Sequence, residues 1–87
     1  MNYEFSIDER NLNKFINYYH QFLEETNDNR ILFSFKSEDF KITIYNSKKV
    51  LFQGKNAYNE YAFWSKHFGL DVVEPVETSS YVNGYKD

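Results

Sequence analysis

From Arg30 to Lys55 apolar residues fall at every second position in three consecutive runs, separated only by short polar stretches. Ile31, Phe33 and Phe35 share one face of the first run, with Leu32, Ser34 and Lys36 on the other. After Ser37-Glu38-Asp39, Phe40, Ile42 and Ile44 alternate with Lys41, Thr43 and Tyr45. After Asn46-Ser47-Lys48-Lys49, Val50 and Phe52 alternate with Leu51, Gln53 and Lys55. A period of two belongs to a strand with one buried and one wet face. Two short turns between three such runs predict two antiparallel hairpins.

Other signals flank this meander. Tyr3, Phe5 and Ile7 alternate with Glu4 and Ser6, a further strand, and Asp8 stands where a helix N-cap belongs. Leu12, Phe15, Ile16, Tyr19, Phe22 and Leu23 then form one apolar stripe at helical spacing until Asn27-Asp28-Asn29 ends it. Beyond the meander, Gly54 lets the chain turn, Asn56 is placed to cap a helix in which Ala57, Tyr61, Trp64 and Phe68 keep helical spacing, and Gly69 stops it. The order β-α-β-β-β-α predicts an α+β domain, an antiparallel sheet with both helices packed on one face. At 87 residues there is one small core, and eight Tyr and nine Phe supply most of its area, so any Phe, and Tyr61 and Trp64 with them, is expected inside. The domain is expected over residues 1–69. Residues 70–87 hold the only proline and no sustained period, and read as a linker or tail that docks through Val72, Val73 and Tyr81.

Without cysteine, disulfides, thiolate zinc sites and thiol nucleophiles are excluded together. No signal-peptide pattern and no apolar run long enough for a membrane span occur, so a soluble, cytoplasmic protein that avoids membranes is expected. The net charge of -3 is uneven: residues 1–69 balance nine Lys and Arg against nine Asp and Glu, and the acidity lies beyond them.

If the helices cover Phe5, Phe33, Phe35, Ile42, Ile44 and Phe52, the opposite face presents Glu4, Ser6, Leu32, Ser34, Lys36, Lys41, Thr43, Tyr45, Leu51, Gln53 and Lys55. Two readings of it stay open. One is a solvated sheet face, on which Lys and Thr are common. The other is a nucleic-acid platform, with Lys36, Lys41 and Lys55, and Lys48 and Lys49 at the turn, on phosphates, while Tyr45, Thr43, Ser34 and Gln53 meet sugar or base. Glu4, Glu38 and Asp39 dilute its charge. The two histidines, His20 and His67, are expected as ordinary helical residues, and Glu24-Glu25 and Glu38-Asp39 as carboxylates solvating element ends, so no catalytic residue, metal site or cofactor is expected here.

The run Lys49-Val50-Leu51-Phe52-Gln53-Gly54-Lys55-Asn56-Ala57, preceded by Tyr45 and Ser47 and followed by Trp64, resembles the N-terminal domain of bacterial ribonuclease HIII. That family has a tyrosine, one residue, Ser-Gly-Lys, then the same Val-Leu-Phe-Gln-Gly-Lys-Asn-Ala phrase and a tryptophan-bearing helix. The sequence departs from it at Lys48, where glycine is usual. The resemblance implies a TATA-binding-protein-like fold whose curved sheet binds RNA/DNA hybrid without sequence preference. It also implies an RNase H catalytic domain in cis that uses Mg or Mn to cleave the RNA strand, and a monomer. Taken with the open-face reading, the expected nucleic-acid-binding set is Lys36, Lys41, Thr43, Tyr45, Ser47, Lys48, Lys49, Gln53 and Lys55. Two alternatives remain: a protein-interaction module with Leu32 and Leu51 as apolar anchors, and a double-stranded-RNA-binding-like domain contacting its ligand through the last helix.

Overall fold

Pairing the alternating runs brings their apolar members together. Ile42 lies opposite Phe52 and Ile44 opposite Val50, and all four are buried. In a computed structural model, which describes residues 2–73, the strands are β1 (Tyr3–Ser6), β2 (Leu23–Glu24), β3 (Ile31–Lys36), β4 (Lys41–Tyr45) and β5 (Lys49–Gln53). They form one antiparallel sheet in the order β1-β5-β4-β3-β2. Helices α1 (Glu9–Tyr19) and α2 (Ala57–His67) complete the expected α+β architecture.

Rings fill the space between helices and sheet. Phe52 meets Phe5, Phe15 and Tyr61 with centroids 5.3, 6.1 and 5.9 Å away. Edge-on geometry of this kind adds roughly 0.5–1.5 kcal/mol per pair beyond area burial. The helices are antiparallel along their seam, since Lys14 meets His67, Tyr18 meets Phe63, and Tyr19 meets Glu60.

Local signals set several boundaries as expected. Asp8 Oδ1 accepts from the Asn11 backbone N–H at 3.2 Å and starts α1. Gly69, at φ 73°, ends α2, and the Leu70 N–H returns to the Ser65 carbonyl at 2.7 Å. Val72 packs against the core and the Val73 N–H donates to the Tyr61 hydroxyl at 3.0 Å, whereas Tyr81 lies outside the described residues.

Four expectations need correction. Phe63, expected inside with the other phenylalanines, is 52% exposed on α2, outside the core that Tyr61 and Trp64 enter. The first helix does not run to Leu23: α1 ends at Tyr19, a 3-10 turn carries His20–Phe22, and Leu23 and Glu24 pair with Phe35 and Ser34. The stripe is honoured by Phe22, which packs on Phe40, but the open backbone edge of β3 captures the next two residues. Ile31 does not share a face with Phe33. A bulge between them sets Ile31 opposite Tyr45 and Phe33 opposite Ile44, so one residue fewer is counted on β4 and the alternation slips. Asn56 does not cap α2 with its side chain: its Oδ1 accepts from Asn59 Nδ2, while its own N–H goes to the Asp39 carbonyl at 2.8 Å.

Candidate nucleic-acid interface

The face of the sheet away from the helices is built in cross-strand rows. The middle row runs through all five strands as Glu24, Ser34, Thr43, Leu51 and Glu4. On one side of it Lys36, Lys41 and Gln53 form a second row; on the other, Tyr45 stands opposite Ile31, and Lys49 opposite Ser6. Short side chains in the middle row lie below longer neighbours, leaving Ser34 only 2% and Thr43 only 3% exposed. Thr43, expected to meet sugar or base, therefore presents almost no surface, and Ser34 is occupied in donating to Glu24 Oε2 at 2.8 Å.

The remaining candidates, except Lys48, which lines neither, separate into two recesses at opposite ends of β4, about 14 Å apart at ~3.4 Å per residue. One, of about 250 Å³, is lined by Lys36, Lys41, Gln53 and Lys55 together with Glu38, Asp39 and Gly54. The other, of about 380 Å³, is lined by Tyr45, Ser47 and Lys49 with Arg30 and Asn46. Gly54 sits at φ 111° because the chain passes close to the Ser37–Phe40 turn there. Lys48 adopts φ 73° at the third position of the β4–β5 loop, where its N–H closes on the Tyr45 carbonyl at 2.8 Å. A type I turn followed by a left-handed residue favours glycine at that place, the residue usual in the resembling family.

Carboxylates accompany most of the cations. Lys41 is 3.7 Å from Glu24, Lys49 3.6 Å from Glu4, and Lys48 3.9 Å from Glu9. These pairs are solvent-accessible, and such pairs contribute about 0–1 kcal/mol, so a phosphate can replace the carboxylate. Lys36 and Lys55 have no carboxylate within salt-bridge distance among the described residues. Arg30 is held by both oxygens of Asp28, Nε to Oδ1 at 3.0 Å and Nη2 to Oδ2 at 2.8 Å. The Arg30 hydrogen bonds push the Asp28 carboxyl down to about 2 and raise the guanidinium further.

Arg30, Asn46 and Glu24 belong to this face although the sequence reading did not place them there. Arg30 and Asn46 directly flank predicted strands, a signal that was present. Glu24 carried none, because it read as the end of a helix. Leu32, 37% exposed, and Leu23 line a third recess of about 410 Å³ with Glu24, Glu25 and Phe33 at the β2 edge, while Leu51 is half-buried. At the start of α2, Lys55 is the single lysine between Gln53 and Glu60. His67 Nε2 faces Lys14 Nζ at 3.3 Å, His20 is exposed, and among the described residues no three His, Cys, Asp or Glu gather into a metal-sized cluster. These residues do not fit a two-metal site. No helix among the described residues is long and apolar enough to cross a membrane.

Residues 5–68 match a family model described as a domain of unknown function (DUF3378). Among solved structures, the crystal structure of Bst-RNase HIII in complex with Mn2+ is similar at 39% identity and a TM-score of 0.66, over 74% of this chain and 21% of that one. The crystal structure of a glutamine-to-alanine mutant of Bst-RNase HIII is similar at 29% identity and a TM-score of 0.66, over 94% and 24%. The chain thus spans less than a quarter of the length of either structure. No curated protein sequence matches it.

Proposed function

Because the chain belongs to the family described as a domain of unknown function (DUF3378) and is built like the N-terminal domain of ribonuclease HIII, we propose that its open sheet face binds RNA/DNA hybrid without sequence preference. The observation that carries this reading is the pair of basic recesses at the two ends of one sheet face: Lys36, Lys41 and Lys55 around Gln53, and Arg30 and Lys49 beside Tyr45. Basic groups on that spacing engage separate, non-adjacent phosphates, which positions a duplex and carries no base identity. Tyr45 and Gln53 contribute contacts to sugar or base. Cleavage of the RNA strand, with Mg or Mn, is the task of an RNase H catalytic domain in cis, in a cytoplasmic bacterial enzyme of which this is a monomeric, non-catalytic module.

The reading is tested by titrating labelled RNA/DNA hybrid and duplex DNA with the 87-residue chain at several salt concentrations. Contacts from Lys36, Lys41, Lys49 and Lys55 predict a slope of log affinity on log salt near -3 to -4, at about -0.9 per phosphate, and about a hundredfold loss between roughly 50 and 200 mM salt. Lys55→Gln should flatten the slope by about one. No binding at low salt, or an unchanged slope in that variant, defeats the proposal.

A second reading, a protein-docking module, is favoured by one observation: exposed Leu23 and Leu32 line the recess at the β2 edge. It predicts no salt-dependent hybrid binding at all.

A further inference from the structure

The outer surface of the two helices differs from the sheet face in both rings and charge. Two large aromatic side chains stand in solvent side by side across the seam, Tyr18 at 57% exposure on α1 and Phe63 at 52% on α2, with centroids 6.1 Å apart. His67 lies parallel to Phe63 in an offset stack, 5° between planes and 6.3 Å between centroids, and adds a third ring to the cluster. Lys14 Nζ, a donor only, is 3.3 Å from His67 Nε2, which accepts from it. Neither ring is needed to close the core, which Phe15, Tyr19 and Trp64 fill beneath them.

The charge around these rings is mostly positive, with Glu60 the one carboxylate a turn away from Phe63 on α2. Arg10 and Lys14 are one turn apart on α1, and Lys66 is one turn from Phe63 on α2. None of the three has a carboxylate within salt-bridge distance among the described residues, in contrast to Lys41, Lys48 and Lys49 around the sheet. The Glu60 carboxylate on α2 is turned to the Tyr19 hydroxyl. Exposed flat rings bordered by unpaired cations match a polyanion that offers unstacked bases, since every base has a π-face and every linkage a charge. A duplex, whose bases are stacked on one another, cannot use the rings.

We propose that the α1–α2 seam is a second nucleic-acid site, specific for single strands, in which bases stack on Tyr18 and Phe63 and phosphates meet Lys14, Lys66 and Arg10. It stands independently of the sheet-face reading. The test is fluorescence anisotropy of labelled oligodeoxythymidylate of about a dozen nucleotides, inside the range of about 4–16 that small binding folds cover, measured beside the RNA/DNA hybrid. Phe63→Ala and Tyr18→Ala should each weaken single-strand binding roughly tenfold and leave the hybrid titration unchanged. Phe63→Tyr should retain binding, and Phe63→Leu, equally apolar but without a π-face, should lose it; circular dichroism of each variant establishes that the fold persists. Lys14→Gln should flatten the single-strand salt slope by about 0.7. Three results overturn the proposal: no binding of the oligonucleotide, binding abolished by Lys55→Gln but indifferent to Phe63, or light scattering that shows the patch occupied by a second copy and freed by Phe63→Ala. Loss of hybrid binding alone would reject the sheet-face reading and leave this one intact.

Discussion

Tyr19 and Glu60 are joined by a hydrogen bond between α1 and α2, the tyrosine hydroxyl donating to the carboxylate Oε1. The same hydroxyl accepts from Trp64 Nε1 at 2.7 Å, so one oxygen satisfies the indole and ties both helices together above the sheet. Burial first, and the neighbouring Glu60 second, raise the Tyr19 pKa far above its ordinary value of 10.0.

Tyr19→Phe keeps the ring but leaves the Trp64 indole N–H without a partner. An unsatisfied buried donor costs about 1–3 kcal/mol, and urea unfolding should show a loss in that range. The raised pKa adds a sign. Stability from the protonated hydroxyl is complete below the unfolded value near 10 and declines as pH rises above it toward the higher folded value. The parent should therefore lose stability above about pH 10, and Tyr19→Phe should lose less of it.

Lys48 occupies a left-handed backbone conformation, φ 73°, that strains an L side chain by about 1–2 kcal/mol. Lys48→Gly should raise stability by about 1 kcal/mol, because its exposed contact with Glu9 contributes little. A lower urea midpoint in the glycine variant would refute this.

Gly54 is fixed by both angle and space. At φ 111° an added Cβ would stand 2.9 Å from the Asp39 carbonyl oxygen and 3.0 Å from Phe40 Cα, both backbone atoms. Gly54→Ala is expected to cost about 3 kcal/mol and to distort the recess formed with Lys36 and Lys55. A neutral effect in thermal melts would show that the Ser37–Phe40 turn yields easily.

Glu24 both accepts from Ser34 and faces Lys41. Glu24→Gln retains an acceptor for the hydroxyl while removing the charge. On the proposed function hybrid binding at low salt should tighten about two- to fivefold, matching the up to ~1 kcal/mol of an exposed pair. Unchanged or weaker binding would mean that Lys41 does not meet phosphate.

The sequence by itself determined which residues face the core of β3, β4 and β5 from Phe33 onward, where α1 starts and α2 ends, and where the chain turns through Gly54. The period of a strand, an Asp N-cap and a left-handed glycine act within a few residues of chain, so they are legible there. Only the tertiary structure decided that Leu23 and Glu24 leave a helical stripe to pair with β3, that a bulge turns Ile31 toward Tyr45, and that Thr43 is covered. It likewise decided that Tyr18 and Phe63 meet in solvent across 45 residues of chain. Each of these depends on a partner distant in sequence: an unpaired strand edge, a neighbour in a cross-strand row, or the opposite side of a helix seam. Hydrophobic period specifies the face a side chain prefers, and the packed sheet decides what covers it.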